Sequence, residues 1–157
     1  MTAIPWAFWA AGVAGFLASQ AAGWAITKVV PAGGERVLIP GLVSLVVLHN
    51  QGIAFGLFRG LAPALTVTLA LTVLAVLFYN KGAWRGAAAE QWGVGLMVGG
   101  ALANVMDRLR FGYVVDYIDV HVWPVFNLAD AAIVAGAGVL AAASFMRRRW
   151  RDTGVRQ

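Results

Sequence analysis

The sequence predicts an all-α membrane protein: four transmembrane helices carrying a small extracytoplasmic sheet. Three observations predict it. Hydrophobic residues make up 61% of the chain and charged residues only 12%, whereas a soluble domain carries about 25% charged residues. Too little charge is left to cover a water-facing surface. Four apolar stretches approach the roughly 20 residues that a helix needs to cross a bilayer. Finally, the Lys and Arg residues that follow the second and fourth stretches fall on one side of a four-span topology, which marks that side as cytoplasmic.

The first stretch runs from about residue 6 to 30 and is uncharged until Lys28. No Lys or Arg precedes it. It is therefore expected to stay as a permanent span rather than a cleaved leader. The second stretch covers about 61–79, the third about 92–106 and the fourth about 126–146. Gly93, Gly95, Gly99 and Gly100 make the third one small-sided, which lets helix backbones approach closely. The fourth carries a single charge, Asp130. Lys81 and Arg85 lie between spans two and three, and Arg147, Arg148, Arg149, Arg151 and Arg156 form a basic tail over 147–157. Both termini are then cytoplasmic, and segments 31–60 and 107–125 face outward. A basic run after an apolar helix suits anionic lipid, so membrane lipid is an expected partner and nucleic acid is not. The whole chain, 1–157, reads as one domain.

The first outer segment carries its own punctuation. Pro31, Gly33, Gly34 and Pro40 mark turns, and the Val- and Leu-rich run Leu42 to Leu48 reads as a strand. A small sheet lying on the outer membrane surface is expected there.

Composition also narrows the chemistry. The chain has no cysteine and two histidines, His49 and His121. Disulfides and thiolate catalysis are excluded, and a His-rich zinc site is not expected. Ser44 and Ser144 lack a His–Asp signature, and the only lysines are Lys28 and Lys81. The acids are more informative. Of seven, four fall close together: Asp107, Asp116, Asp119 and Asp130. Charge near a bilayer is expensive and usually has a partner or a task. The ordinary reading of Asp130 is a helix-end anchor or a salt bridge to Arg108 or Arg110. The alternative is a carboxylate pair. Two carboxylates held together share a proton, so one can take a proton from water while the other donates one. That is general acid–base hydrolysis without metal or cofactor.

Polar clusters interrupt the apolar background at the outer span boundaries. They are Asn50 to Phe55 (NQGIAF), Gly99 to Arg108 (GGALANVMDR), Val114 to Tyr117 (VVDY) and Phe126 to Asp130 (FNLAD). An isolated Asn at a span boundary usually satisfies backbone groups. Three of them gathered with two aspartates can clamp an extended peptide.

At these residues the chain resembles the lipoprotein signal peptidases, signal peptidase II. The family boxes N-x-G-x-A-F, G-G-A-x-x-N-x-x-D-R, V-V-D-[FY] and F-N-x-A-D match in order and spacing. The resemblance implies a four-helix bundle with an extracytoplasmic β-cradle in a bacterial plasma membrane, acting as a monomer. It implies cleavage of prolipoprotein signal peptides before a diacylglyceryl-modified Cys, and sensitivity to globomycin-type inhibitors. The catalytic pair maps onto Asp116 and Asp130, with Asn50, Gly52, Asn104, Asp107, Arg108 and Asn127 as binding or supporting residues and no metal. Two positions depart from the pattern. At the end of the first span the family has D-x-x-[ST]-K; Thr27 and Lys28 fit, but Trp24 replaces the Asp. Ala103 stands where G-G-A-x-G-N has its glycine. Two other readings compete: a small proton- or cation-coupled transporter subunit built on Asp130, and an inactive paralogue of the peptidase.

Overall fold

A computed structural model describes residues 5–31, 33–51 and 87–152, with side chains up to 147. Three helices and one sheet make up this part. Helix α1 is Trp6–Val29, α2 is Ala88–Phe111 and α3 is Leu128–Asp152. Strands β1, Glu35–Ile39, and β2, Val43–Asn50, follow α1; β3, Val114–Asp119, lies between α2 and α3. Three of the four expected spans coincide with these helices. The second expected span, 61–79, together with Gly52, Lys81 and Arg85, lies outside the described residues. Among the described helices, the stretch Leu128–Arg147 of α3 is long and apolar enough to cross a membrane by length and composition.

Helix α2 lies between α1 and α3, which touch one another far less. Glycines make this possible. A Cβ on Gly99 would run into the main chain of Gly12 on α1, and one on Gly100 would run into the Ala129 carbonyl on α3. Two neighbouring residues of one helix thus admit the backbones of two others. Where water gives no drive for helix association, such close packing is what holds a bundle together. Ala103, the departure from the family glycine, is buried within this bundle.

Helix α2 runs five residues past the expected end of the third span. Asp107 and Arg108 are therefore helical, not part of an outer loop. Leu109 and Phe111 stay exposed, and the helix stops at Gly112, whose φ of 77° is the left-handed cap that glycine adopts without a Cβ penalty. The Gly112 N–H donates to the Arg108 carbonyl at 3.0 Å. The chain then reverses directly into β3.

The sheet is antiparallel, ordered β1-β2-β3. The expected strand at 42–48 appears as β2, displaced slightly toward Asn50. In the β2–β3 register, Leu48 pairs with Asp116 and Asn50 with Val114, beyond a bulge between Leu45 and Leu48. The end of β3 is then stapled to the start of α3. Tyr117 and Ile118 N–H groups donate to the Phe126 carbonyl at 3.0 and 2.8 Å, and the Phe126 N–H returns to the Ile118 carbonyl at 3.1 Å.

At the opposite end of the bundle, Glu90 at the start of α2 is 1% exposed. Arg147 of α3 holds both of its carboxylate oxygens, at 3.1 and 3.3 Å. This two-point geometry is how a buried carboxylate is best compensated.

Gly100→Val tests the packing. Its methyl groups have no room against the Ala129 carbonyl, and overpacking costs about 1–3 kcal/mol. The thermal midpoint in detergent is expected to drop by several degrees, with activity reduced. A variant that melts with the parent contradicts this account of the α2–α3 contact.

Candidate active site

The α2–α3 contact has a direct consequence for polar residues. Asn104 lies one turn after Gly100, on the same face of α2, and so reaches the first turn of α3. Its side-chain N–H donates to Asp130 Oδ1 at 2.7 Å. Asp130 is the third residue of α3 and closes a reciprocal cap with Asn127. The Asp130 N–H donates to Asn127 Oδ1 at 3.0 Å, and the Asn127 N–H donates to Asp130 Oδ2 at 3.3 Å. This is a capping box with Asp in the usual Glu position. Asp130 faces the positive end of the helix dipole there.

Asp116 arrives from the sheet. It is 4% exposed, as is Asn127. Asn50, two residues beyond the cross-strand partner Leu48, donates to Asp116 Oδ2 at 2.7 Å. Asn127 donates to Asp116 Oδ1 at 3.0 Å and also to Asn104 Oδ1 at 3.1 Å. The two aspartates therefore belong to one network, joined through Asn127 and Asn104. The Tyr117 hydroxyl adds a further tie, accepting the Leu128 N–H at 3.1 Å. That N–H is one of the four a helix start leaves without an internal partner.

Electrostatics distinguish Asp116. Burial pushes its carboxyl up to about 6; the neighbouring Asp130 charge adds to this, while the Asn50 and Asn127 amides and Arg108 oppose it. Arg108 directs its charge at Asp130, Asp116 and Asp107 together, and its guanidinium donates to the Asn104 carbonyl at 3.4 Å.

The structure thus brings together Asp116, Asp130, Asn50, Asn104 and Asn127, with Arg108 beside them. Asp107 stands one step away: its Oδ1 accepts a 2.7 Å bond from Gln20 of α1, and its carboxylate faces the Val115 N–H. Asp119 takes no part in the network. It accepts the His121 N–H at 2.7 Å and turns the following loop. Among the described residues no three His, Asp or Glu side chains converge as a metal-ligand set. Gln20 and Tyr117 were not picked out as site residues from the sequence. The available signal for Gln20 was an amide inside an otherwise apolar span.

Small-sided helices packed backbone to backbone, with a buried carboxylate–amide network at one end, define a helical bundle with a built polar site. The sequence profile described as Signal peptidase (SPase) II matches residues 12–146. The lipoprotein signal peptidase of Syntrophomonas wolfei subsp. wolfei is 42% identical over 119 residues, covering 74% of this chain and 76% of that protein. That of Gloeobacter violaceus is 37% identical over 144 residues, covering 87% and 79%. That of Moorella thermoacetica is 45% identical over 106 residues, covering 66% and 69%. Two solved bacterial membrane enzymes, determined by the in meso method at 2.3 and 1.9 Å, share the fold. The first gives a TM-score of 0.78 at 22% identity, over 94% of this chain and 91% of that one. The second gives 0.68 at 24% identity, over 85% and 88%. The chain belongs to the signal peptidase II family, and it is a membrane-associated peptidase.

The raised Asp116 carboxyl makes a stability prediction. The folded state binds this proton more tightly than the unfolded chain does. The stability it contributes is full below the ordinary carboxylate range and is lost as pH rises through about 6. The parent's thermal midpoint in detergent should therefore fall between pH 5 and 7.5. In Asp116→Asn that component of the slope should vanish, with the midpoint at pH 7.5 no lower than the parent's. An unchanged slope would show that Asp116 is not the group titrating.

Proposed function

We propose that the chain is an aspartyl endopeptidase embedded in the bacterial plasma membrane. It removes the signal peptide from prolipoproteins by cutting before the diacylglyceryl-modified Cys, with Asp116 and Asp130 as the catalytic pair. The observation that carries this reading is the single network in which Asn127 touches both aspartates. A carboxylate pair needs to be held together yet kept electrostatically unequal, and the two members here differ in kind. Asp116 sits buried in the sheet. Asp130 sits at a helix start, with each oxygen accepting an N–H.

The reaction follows from that inequality. Asp130 takes a proton from a water as its oxygen attacks the carbonyl before the modified Cys. Asp116 gives its proton to the carbonyl oxygen, forming a tetrahedral gem-diol. The bond to the Cys nitrogen then breaks. The proton on Asp130 passes to the leaving amine and a gem-diol hydroxyl proton returns to Asp116, which restores the pair. Asn50, Asn104 and Asn127 keep donors and acceptors around the aspartates. Arg108 limits the mutual repulsion of the acids. The diacylglyceryl group stays in lipid, so membrane contact supplies much of the binding.

The topology that suits this chemistry has four spans with both termini cytoplasmic and the site on the outer face. The enzyme works as a monomer. Globomycin-type cyclic peptides are expected to compete with substrate at the aspartates.

The test is cleavage of a synthetic diacylglyceryl-Cys prolipoprotein peptide by purified protein in detergent. Asp116→Asn and Asp130→Asn should each lose at least about a thousandfold in rate, the order expected when a group essential to proton transfer is removed. A chelator should change nothing. kcat/KM should fall on the alkaline side as Asp116 loses its proton, with a limb near 6 in the free enzyme. Substantial cleavage by either variant would sink the pair, and loss with chelator would point to a metal-dependent reaction. No cleavage by folded parent would favour the inactive paralogue or the transporter reading.

A further inference from the structure

The polar contact between α1 and α2 extends beyond the network that holds the two aspartates. Gln20 lies in the outer part of α1, partly buried. Its Nε2 donates to Asp107 Oδ1 at 2.7 Å and to the Ala103 carbonyl at 3.3 Å. Its Oε1 accepts from the Arg110 guanidinium at 3.3 Å. Both ends of one amide are therefore engaged, with three residues of α2. Asp107 passes the restraint on. Its carboxylate faces the main-chain N–H of Val115, the residue immediately before Asp116. Val115 is 8% exposed and pairs with His49 of β2.

We infer that Gln20 is a positioning residue for the peptidase reaction: through Asp107 it fixes the main chain at Val115 and so sets the direction of the Asp116 carboxyl. The inference rests on Asp116 being catalytic. Trp24, one turn further along α1, does not compete for this task. Its side chain is 68% exposed, and its carbonyl accepts the Thr27 hydroxyl at 2.8 Å. The chain thus reaches Asp107 from the turn before Trp24.

Displacing a catalytic group by about an ångström costs on the order of a hundredfold in rate without changing what the substrate touches. Gln20→Leu keeps the helix and removes both polar ends. Its kcat on the lipopeptide should fall roughly ten- to a hundredfold, with KM within about twofold of the parent. Gln20→Glu supplies a readout that packing alone would not move. A protonated Glu can donate to Asp107 and accept from Arg110, as Gln does, whereas an ionised Glu faces the Asp107 charge. The ratio of its kcat to the parent's should therefore rise as pH is lowered from 8 to 5. His49 and Tyr113 also line the cavity between α1 and the sheet, with Asp107 and Arg110; taking the ratio to the parent at every pH removes their contribution.

Parent-like kcat in Gln20→Leu, while Asp116→Asn is inactive, overturns the positioning role and leaves the catalytic pair standing. A Gln20→Glu ratio that does not change with pH also overturns it. Cleavage by Asp116→Asn would instead remove the reading on which the inference rests.

Discussion

Asn127 meets three structural demands with one side chain and one peptide group. Its Oδ1 caps the start of α3, its Nδ2 is shared between Asp116 and Asn104, and its own N–H is taken by Asp130. Its hydrogen bonds join the sheet, α2 and α3 at a single residue. A buried amide is suited to this because it both donates and accepts. A carboxylate in its place would repel the aspartates, and an alkyl group would take the donor from Asp116 Oδ1 and Asn104 Oδ1. The 4% exposure of Asn127 makes each of these bonds costly to lose, since a buried polar group without a partner pays its full desolvation cost.

The rest of the fold can be understood as the support this junction needs. Gly99 and Gly100 let α2 come close enough for Asn104 to reach α3. Gly112 reverses the chain so that β3 returns Asp116 to the same end. The Tyr117 hydroxyl and the paired bonds between Ile118 and Phe126 hold the sheet to the start of α3. The Glu90–Arg147 pair closes the far end of the α2–α3 contact. Stability is given up at Asp116, whose burial opposes its own ionisation. A site that holds one carboxyl proton near neutral pH needs that opposition.

Much of this was legible in the sequence. Hydrophobic stretches located α1, α2 and α3, and the four boxes located the aspartates and all three asparagines. What the boxes left open was how the residues connect. Asn127 read as a peptide clamp, and nothing in the boxes showed that it also caps a helix. The last turn of α2 was hidden because Asp107, Arg108 and Arg110 lower local hydrophobicity; these charges lie at the helix end, where hydropathy marks where a span ends but not where a helix does. Strand β1 was missed as a distinct element because all five of its residues are exposed, so no burial pattern shaped its sequence. Glu90 and Gln20 act through partners 57 and 87 residues away. No local spacing encodes such a pairing. The segment 52–86, with the expected second span, lies outside the described residues.

The most direct test of the account is Asn127→Ser, because it separates capping from bridging. Serine is as good a helix cap as asparagine, but its hydroxyl is too short to span from the α3 start to both Asp116 and Asn104. The account predicts a variant that is folded, with a helical content close to the parent's, a thermal midpoint lowered by the loss of the two buried bridging bonds, and a rate on the diacylglyceryl-Cys peptide lowered by about a hundredfold. A folded Asn127→Ser protein that cleaves at the parent's rate would show that the junction at Asn127 is only a helix cap, and that the two aspartates do not depend on it.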